Sequence, residues 1–209
     1  MREAVVFIHG LWLTGLELSL LRRRVRQCGF ACFQFHYRSL LATPTQNAAR
    51  LNAFLLNLDA EVIHLVAHSL GGVVVMHLFA AFPQQKPGRI VLLGSPVNGS
   101  SVALAMNRNL LTRAVLGRST RQGLLGNVPR WKGARELGMI AGTRGPGLGT
   151  LLTLGKLTTP NDGTVAVQET KTSAISCHLQ VPYSHFTMLF AKPVARTVCA
   201  FLHSGNFAD

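Results

Sequence analysis

The segment Val62-Ile63-His64-Leu65-Val66-Ala67-His68-Ser69-Leu70-Gly71-Gly72 constrains this chain more than any other. An apolar run of strand character turns through one serine straight into a stretch with helical spacing. A serine in so sharp a turn has a strained backbone, so the residues two before and two after it must be small. Here they are Ala67 and Gly71. The segment thus matches the nucleophile elbow Gly-x-Ser-x-Gly with alanine at the first position. Alanine keeps the small size but tolerates positive φ less readily than glycine. Such a turn lifts the Ser69 hydroxyl clear of a sheet and aims the Leu70 N–H at a reacting oxygen.

An elbow needs a sheet behind it, and the remaining sequence supplies one. Short apolar runs at 4–9, 31–36, 62–67, 89–94, 138–143 and 174–181 read as strands, several apolar throughout as strands covered on both faces should be. Between them, 16–27, 46–58, 70–82 and 193–203 carry apolar residues at three- and four-residue spacing and read as helices, with Gly29 and Pro83 as stops. This alternation predicts an α/β fold with a mostly parallel central sheet and helices on both faces. The 209 residues are expected to form one domain, without repeats or a linker. The stretch 96–160 differs: it opens with helical spacing, becomes rich in Gly and Arg, and holds one acid, Glu136. It reads as an excursion past the strand ends, of the kind that shapes a substrate pocket or merely runs over the surface.

The net charge of +13 suggests attraction to phosphates or anionic lipid heads. The basic residues are scattered, however, through Arg22-Arg23-Arg24, Arg108, Arg113, Arg118, Arg121, Arg130, Lys132 and Arg135. No nucleic-acid reading motif accompanies them, so nucleic acid is not expected as a partner and a weak association with an anionic membrane surface is left open. No apolar run reaches the roughly 18 residues of a membrane span, and Met1-Arg2-Glu3 leads straight into the first strand rather than into a signal peptide. Cys28, Cys32, Cys177 and Cys199 show no metal-ligand spacing and are expected to be reduced, mostly buried thiols, which favours the cytoplasm. Neither a metal nor a cofactor is implied, and the sequon Asn98-Gly99-Ser100 is taken as incidental.

A serine at its ordinary pKa is a poor nucleophile and needs a histidine base with an acid to orient it. If the acid and base follow the serine in that order, the acids before His185 are Glu136, Asp162 and Glu169. Asp162 sits in the turn-forming Pro160-Asn161-Asp162-Gly163-Thr164; Glu136 lies at the wrong end of a strand, and Glu169 is assigned a solvated surface role with reserve status. His178 falls inside the last strand and His203 inside the last helix, whereas His185 lies just past the strand. His36, His64 and His77 read as core or packing residues, His9 as a structural hydrogen-bonding residue, and His68 as a pocket residue without a catalytic role. Leu11, after His9-Gly10, is the second candidate N–H donor for an oxyanion; Trp12 is a candidate pocket residue.

Taken in order, His9-Gly10-Leu11, Ala67-His68-Ser69-Leu70-Gly71-Gly72, Asn161-Asp162-Gly163-Thr164-Val165 and Ser184-His185-Phe186 resemble the small, lid-poor bacterial lipases and esterases of the α/β-hydrolase superfamily. The resemblance runs over nearly the whole chain. It implies a minimal α/β-hydrolase fold without a large cap domain. It also implies hydrolysis of carboxylic esters, on a small-molecule or lipid substrate, through Ser69, His185 and Asp162 and an acyl-enzyme. The same scaffold hosts acyl thioesterases and acyltransferases, and a non-catalytic protein that binds anionic partners is a further alternative.

Overall fold

The computed structural model describes residues 2–108, 110–120, 122–145, 147 and 157–207. Arg121 and the excursion residues 146 and 148–156 lie outside them. Six strands, β1 (Glu3–Ile8), β2 (Ala31–Phe35), β3 (Val62–His68), β4 (Ile90–Leu93), β5 (Leu137–Gly142) and β6 (Cys177–Val181), form one sheet in the order β2-β1-β3-β4-β5-β6. All five pairings are parallel. The last strand is shorter than the sequence pattern predicts, because residues 172–175 form a turn before it.

The two-residue period of a strand explains why these runs are apolar on both faces. In β1, Ala4, Val6 and Ile8 join one core while Val5 and Phe7 join the other. In β4, Ile90 and Leu92 face the first core, Val91 and Leu93 the second. The first core is closed by Ala48, Leu51 and Leu55 of α2 (Pro44–Leu56) with Val74, Val75, Leu78 and Phe79 of α3 (Leu70–Ala81). The second is closed by Leu21 and Val25 of α1 (Ser19–Gln27) and by Val194, Val198, Phe201 and Leu202 of the C-terminal helix Lys192–Ser204. Each such side chain, fully buried, contributes about 1.5–3 kcal/mol of transfer free energy.

Helix α2 starts two residues earlier than its apolar spacing suggests, because Thr43 and Gln46 form a reciprocal capping box with Pro44 in the first turn. Helix α3 is apolar all round, as a helix packed on every side must be: α2 lies along it, and Leu70 and Val73 pack into a third cluster with Val102, Met106 and Leu116. These last residues belong to the excursion, whose described part holds two short helices, α4 (Ser101–Asn107) and α5 (Leu110–Leu116), and no cap domain.

The expectation of four reduced thiols is overturned. Cys28, at the end of α1, and Cys199, in the C-terminal helix, form a disulfide with Cα atoms 6.4 Å apart; Cys32 and Cys177 are the free thiols. The two helices pack side by side on the same core, which brings together cysteines 171 positions apart. Burial pushes the Cys32 thiol up to about 11, so it stays protonated. Among the described residues no helix is long and apolar enough to cross a membrane.

Candidate active site

The sheet order reverses direction at β1 and β3, and the crevice beyond their carboxyl ends is where an open α/β sheet can hold a ligand. Ser69 stands there. Its backbone has φ 54° and ψ −122°, a left-handed strained conformation between β3 and α3, held by a hydrogen bond from its N–H to Leu93 O at 2.9 Å. Gly71 is required by close approach: a β-carbon there would stand 2.6 Å from Ile8 O and 2.8 Å from His9 O.

The loop after β1 lies against this turn, since a β-carbon on Gly10 would be 3.1 Å from Ser69 Cβ. Buried His9 donates from Nδ1 to Gly10 O at 2.8 Å, and its ring stacks on Tyr37 at 4.2 Å. The Tyr37 hydroxyl donates to His9 O at 2.7 Å. With the Gly10 carbonyl turned to the His9 ring, the Leu11 N–H of the same trans peptide points the opposite way.

Asp162 and His185 meet beside the carboxyl end of β4. Asp162 is 1% exposed; one carboxylate oxygen accepts N–H bonds from Thr164 at 2.9 Å and Val165 at 2.7 Å. The other oxygen accepts from His185 Nδ1 at 2.7 Å. This bond commits the Nδ1 proton to the acid and leaves Nε2 as the basic end of the ring. His68 is fully buried, and its Nε2 donates to His185 O at 3.1 Å while the two rings lie 4.6 Å apart. Burial holds its pKa well below the ordinary histidine value, with the neighbouring His185 adding to the effect, so it stays neutral.

Ser69, His68, Leu70, Leu11, Trp12 and His185 line one cavity of about 150 Å³. Its remaining walls are mostly apolar: Leu13, Pro96, Val165 and Phe186, with Val102, Ala103, Met106 and Leu116 from α4 and α5. The Trp12 indole donates to Val115 O at 2.8 Å, tying the β1 loop to α5.

Two glycines that packing requires are not evident from sequence spacing. Gly94, at the end of β4 with φ 51°, would place a β-carbon 2.9 Å from Asp162 Oδ2 and 3.1 Å from His185 Nδ1. Gly142, at the end of β5, would place one 2.7 Å from Asp162 Cβ. The only visible signal is that both follow apolar strands. Glu169 is not a solvated surface acid: its carboxylate accepts from Ser101 N at 2.6 Å and Ala166 N at 2.9 Å, pinning the start of α4 to the acid loop. His36 is not a core residue; it is exposed, with Nδ1 2.9 Å from Thr14 O. His64 and His77 are buried as expected, and Glu136 pairs with Arg89 at the far end of β5.

A model of the alpha/beta hydrolase family matches residues 5–197. No curated protein sequence matches the chain. Among solved structures, the chain is similar to the mature Bacillus licheniformis lipase BlEst2, with a TM-score of 0.68 at 17% identity over 90% of this chain and 86% of that one. It is similar also to the metagenomic carboxyl esterase MGS0156, with a TM-score of 0.64 at 19% identity over 90% and 65%. A lipase-esterase related protein from Clostridium acetobutylicum gives a TM-score of 0.65 at 14% identity over 95% and 94%. At these identities the likeness is one of fold.

Proposed function

The chain belongs to the α/β-hydrolase family, and we propose that within it the protein is a serine hydrolase of carboxylic esters, with Ser69 as nucleophile, His185 as base and Asp162 as its orienting acid. The observation that carries this reading is that His185, hydrogen-bonded to buried Asp162, lines one apolar cavity together with the strained Ser69 turn. In this reading the Ser69 hydroxyl attacks the acyl carbon as its proton passes to His185 Nε2. The Leu11 and Leu70 N–H groups receive the negative charge that forms on the acyl oxygen. The proton then moves from His185 to the leaving alkoxide, and an acyl-enzyme remains. Water, deprotonated by His185, releases the acid and restores Ser69.

The cavity is of the size that holds a six-carbon ring when lined by aliphatic side chains, which suits a short acyl group or an aryl leaving group. Hydrolysis of a small-molecule or lipid ester needs no metal or cofactor in this scheme. The cytoplasm, expected from reduced thiols, loses that support, because a disulfide such as Cys28–Cys199 persists mainly in oxidising compartments.

Reaction with a fluorophosphonate tests the proposal by intact mass. Fluoride leaves as Ser69 Oγ bonds phosphorus, so the expected result is one adduct, absent from Ser69→Ala. A folded wild-type protein that takes up no adduct overturns it.

A further inference from the structure

The helices that wall the cavity have a second apolar face, turned outward. In α4, Val102, Ala103 and Met106 point to the cavity while Leu104 is 48% exposed. In α5, Leu116 points inward while Leu110 is 80% and Val115 50% exposed. At the cavity mouth Trp12 is 43% and Phe186 48% exposed, and the Trp12–Val115 bond joins mouth and helix. Isolated surface leucines need no explanation, but apolar residues grouped on one rim beside an apolar cavity do.

The charge around this rim indicates what covers it. Arg108, Arg113 and Arg118 are exposed on and beside the same two helices. Between Pro96 and Arg135 the sequence contains no Asp or Glu. Outward leucines and two aromatics beside exposed arginines, with the Glu169 carboxylate turned to backbone N–H groups at the start of α4, complement a surface that is apolar below and anionic above. A protein partner with an acidic rim would offer the charge but not the depth of hydrocarbon.

We infer that the α4–α5 rim docks on anionic lipid surfaces, with Leu104 and Leu110 entering the acyl boundary and Arg108, Arg113 and Arg118 meeting the headgroups. Docking does not depend on hydrolysis. On the proposed function, however, it would set the cavity mouth against the lipid that supplies the ester.

The test is co-sedimentation of the Ser69→Ala protein with vesicles of phosphatidylcholine alone or with phosphatidylserine added, so that binding is read without turnover. Binding is expected to the phosphatidylserine vesicles, weakening steeply with salt. A basic residue near such a surface is worth roughly fivefold in affinity, so Arg108→Gln, Arg113→Gln and Arg118→Gln together are expected to lower it on the order of a hundredfold. Leu104→Ser with Leu110→Ser is expected to lower it roughly tenfold or more. In the Ser69-bearing forms of these variants, fluorophosphonate labelling should stay at the wild-type rate, which checks that they fold. Lack of binding to either vesicle overturns the inference. So does binding that survives the leucine changes, because the scattered basic surface alone would then account for it. A dimer that the leucine changes dissociate, without lipid binding, would assign the rim to a second copy of the chain. Failure of labelling with intact lipid binding would count against the hydrolase reading alone.

Discussion

Asp162 and His185 are joined twice: His185 N donates to Asp162 O at 2.9 Å, and His185 Nδ1 donates to Asp162 Oδ2 at 2.7 Å. The backbone bond fixes where the imidazole begins and the side-chain bond fixes where it points. Asp162→Asn keeps the shape but offers an amide donor to Nδ1, which forces the other tautomer. Turnover of p-nitrophenyl butyrate is expected to fall about ten-thousandfold, with little change in melting temperature. Near-wild-type turnover in this variant would remove Asp162 from the proposed triad.

Gly94 makes the same pair depend on a missing methyl group. Alanine there must adopt φ near 51° and meet both Asp162 Oδ2 and His185 Nδ1. The backbone alone costs about 1–2 kcal/mol. Gly94→Ala is expected to lower kcat by a larger factor than that stability loss would suggest, with KM little changed. Steady-state kinetics alongside a denaturant titration separate the two effects.

The cavity walls give a size prediction. Ala103 of α4 is buried and faces the cavity, so Ala103→Leu narrows it. The ratio of kcat/KM for hexanoate over acetate esters is expected to fall roughly tenfold, the scale of one or two methylenes in an apolar pocket. An unchanged ratio would place the acyl chain elsewhere.

Acid sensitivity follows from buried imidazoles. Burial lowers the pKa of His64 to about 4 and that of His68 well below its ordinary 6.5, and also depresses His9, His77 and His178. The unfolded chain therefore takes up protons near pH 6.5 that the folded chain refuses. Stability present above that pH is lost as the pH falls toward 4, and the His64 contribution levels off once the folded form also protonates. The urea midpoint is expected to fall between pH 7 and pH 5, and His64→Gln to fall less steeply. A midpoint independent of pH across this window would contradict the assignment.

Much of this architecture was legible in the sequence because its causes are local. Strands buried on both faces, as β1 and β4 are, must be apolar throughout, and Ser69 announces its turn through Ala67 and Gly71. Chain order and turn chemistry selected Asp162 and His185, which the fold brings within 2.7 Å. Contacts made through space left no such trace. Gly94 and Gly142 are glycine because of what stands opposite them, and Glu169 resembles a surface acid until α4 arrives to be capped. Cys28 and Cys199 carry no spacing signal, since their meeting depends on two helices sharing one side of the sheet.

That last meeting makes the chain nearly a closed ring. The disulfide joins residue 28 to residue 199, so all of the cavity walls contributed by β3, the excursion and the acid loop lie within the loop it closes. A single protease cut anywhere between the two cysteines would open the ring without releasing a fragment. Nicked protein should run as one species in non-reducing electrophoresis and separate into two only when a thiol is added, keeping Ser69 and His185 on one covalent framework even after the chain between them is severed.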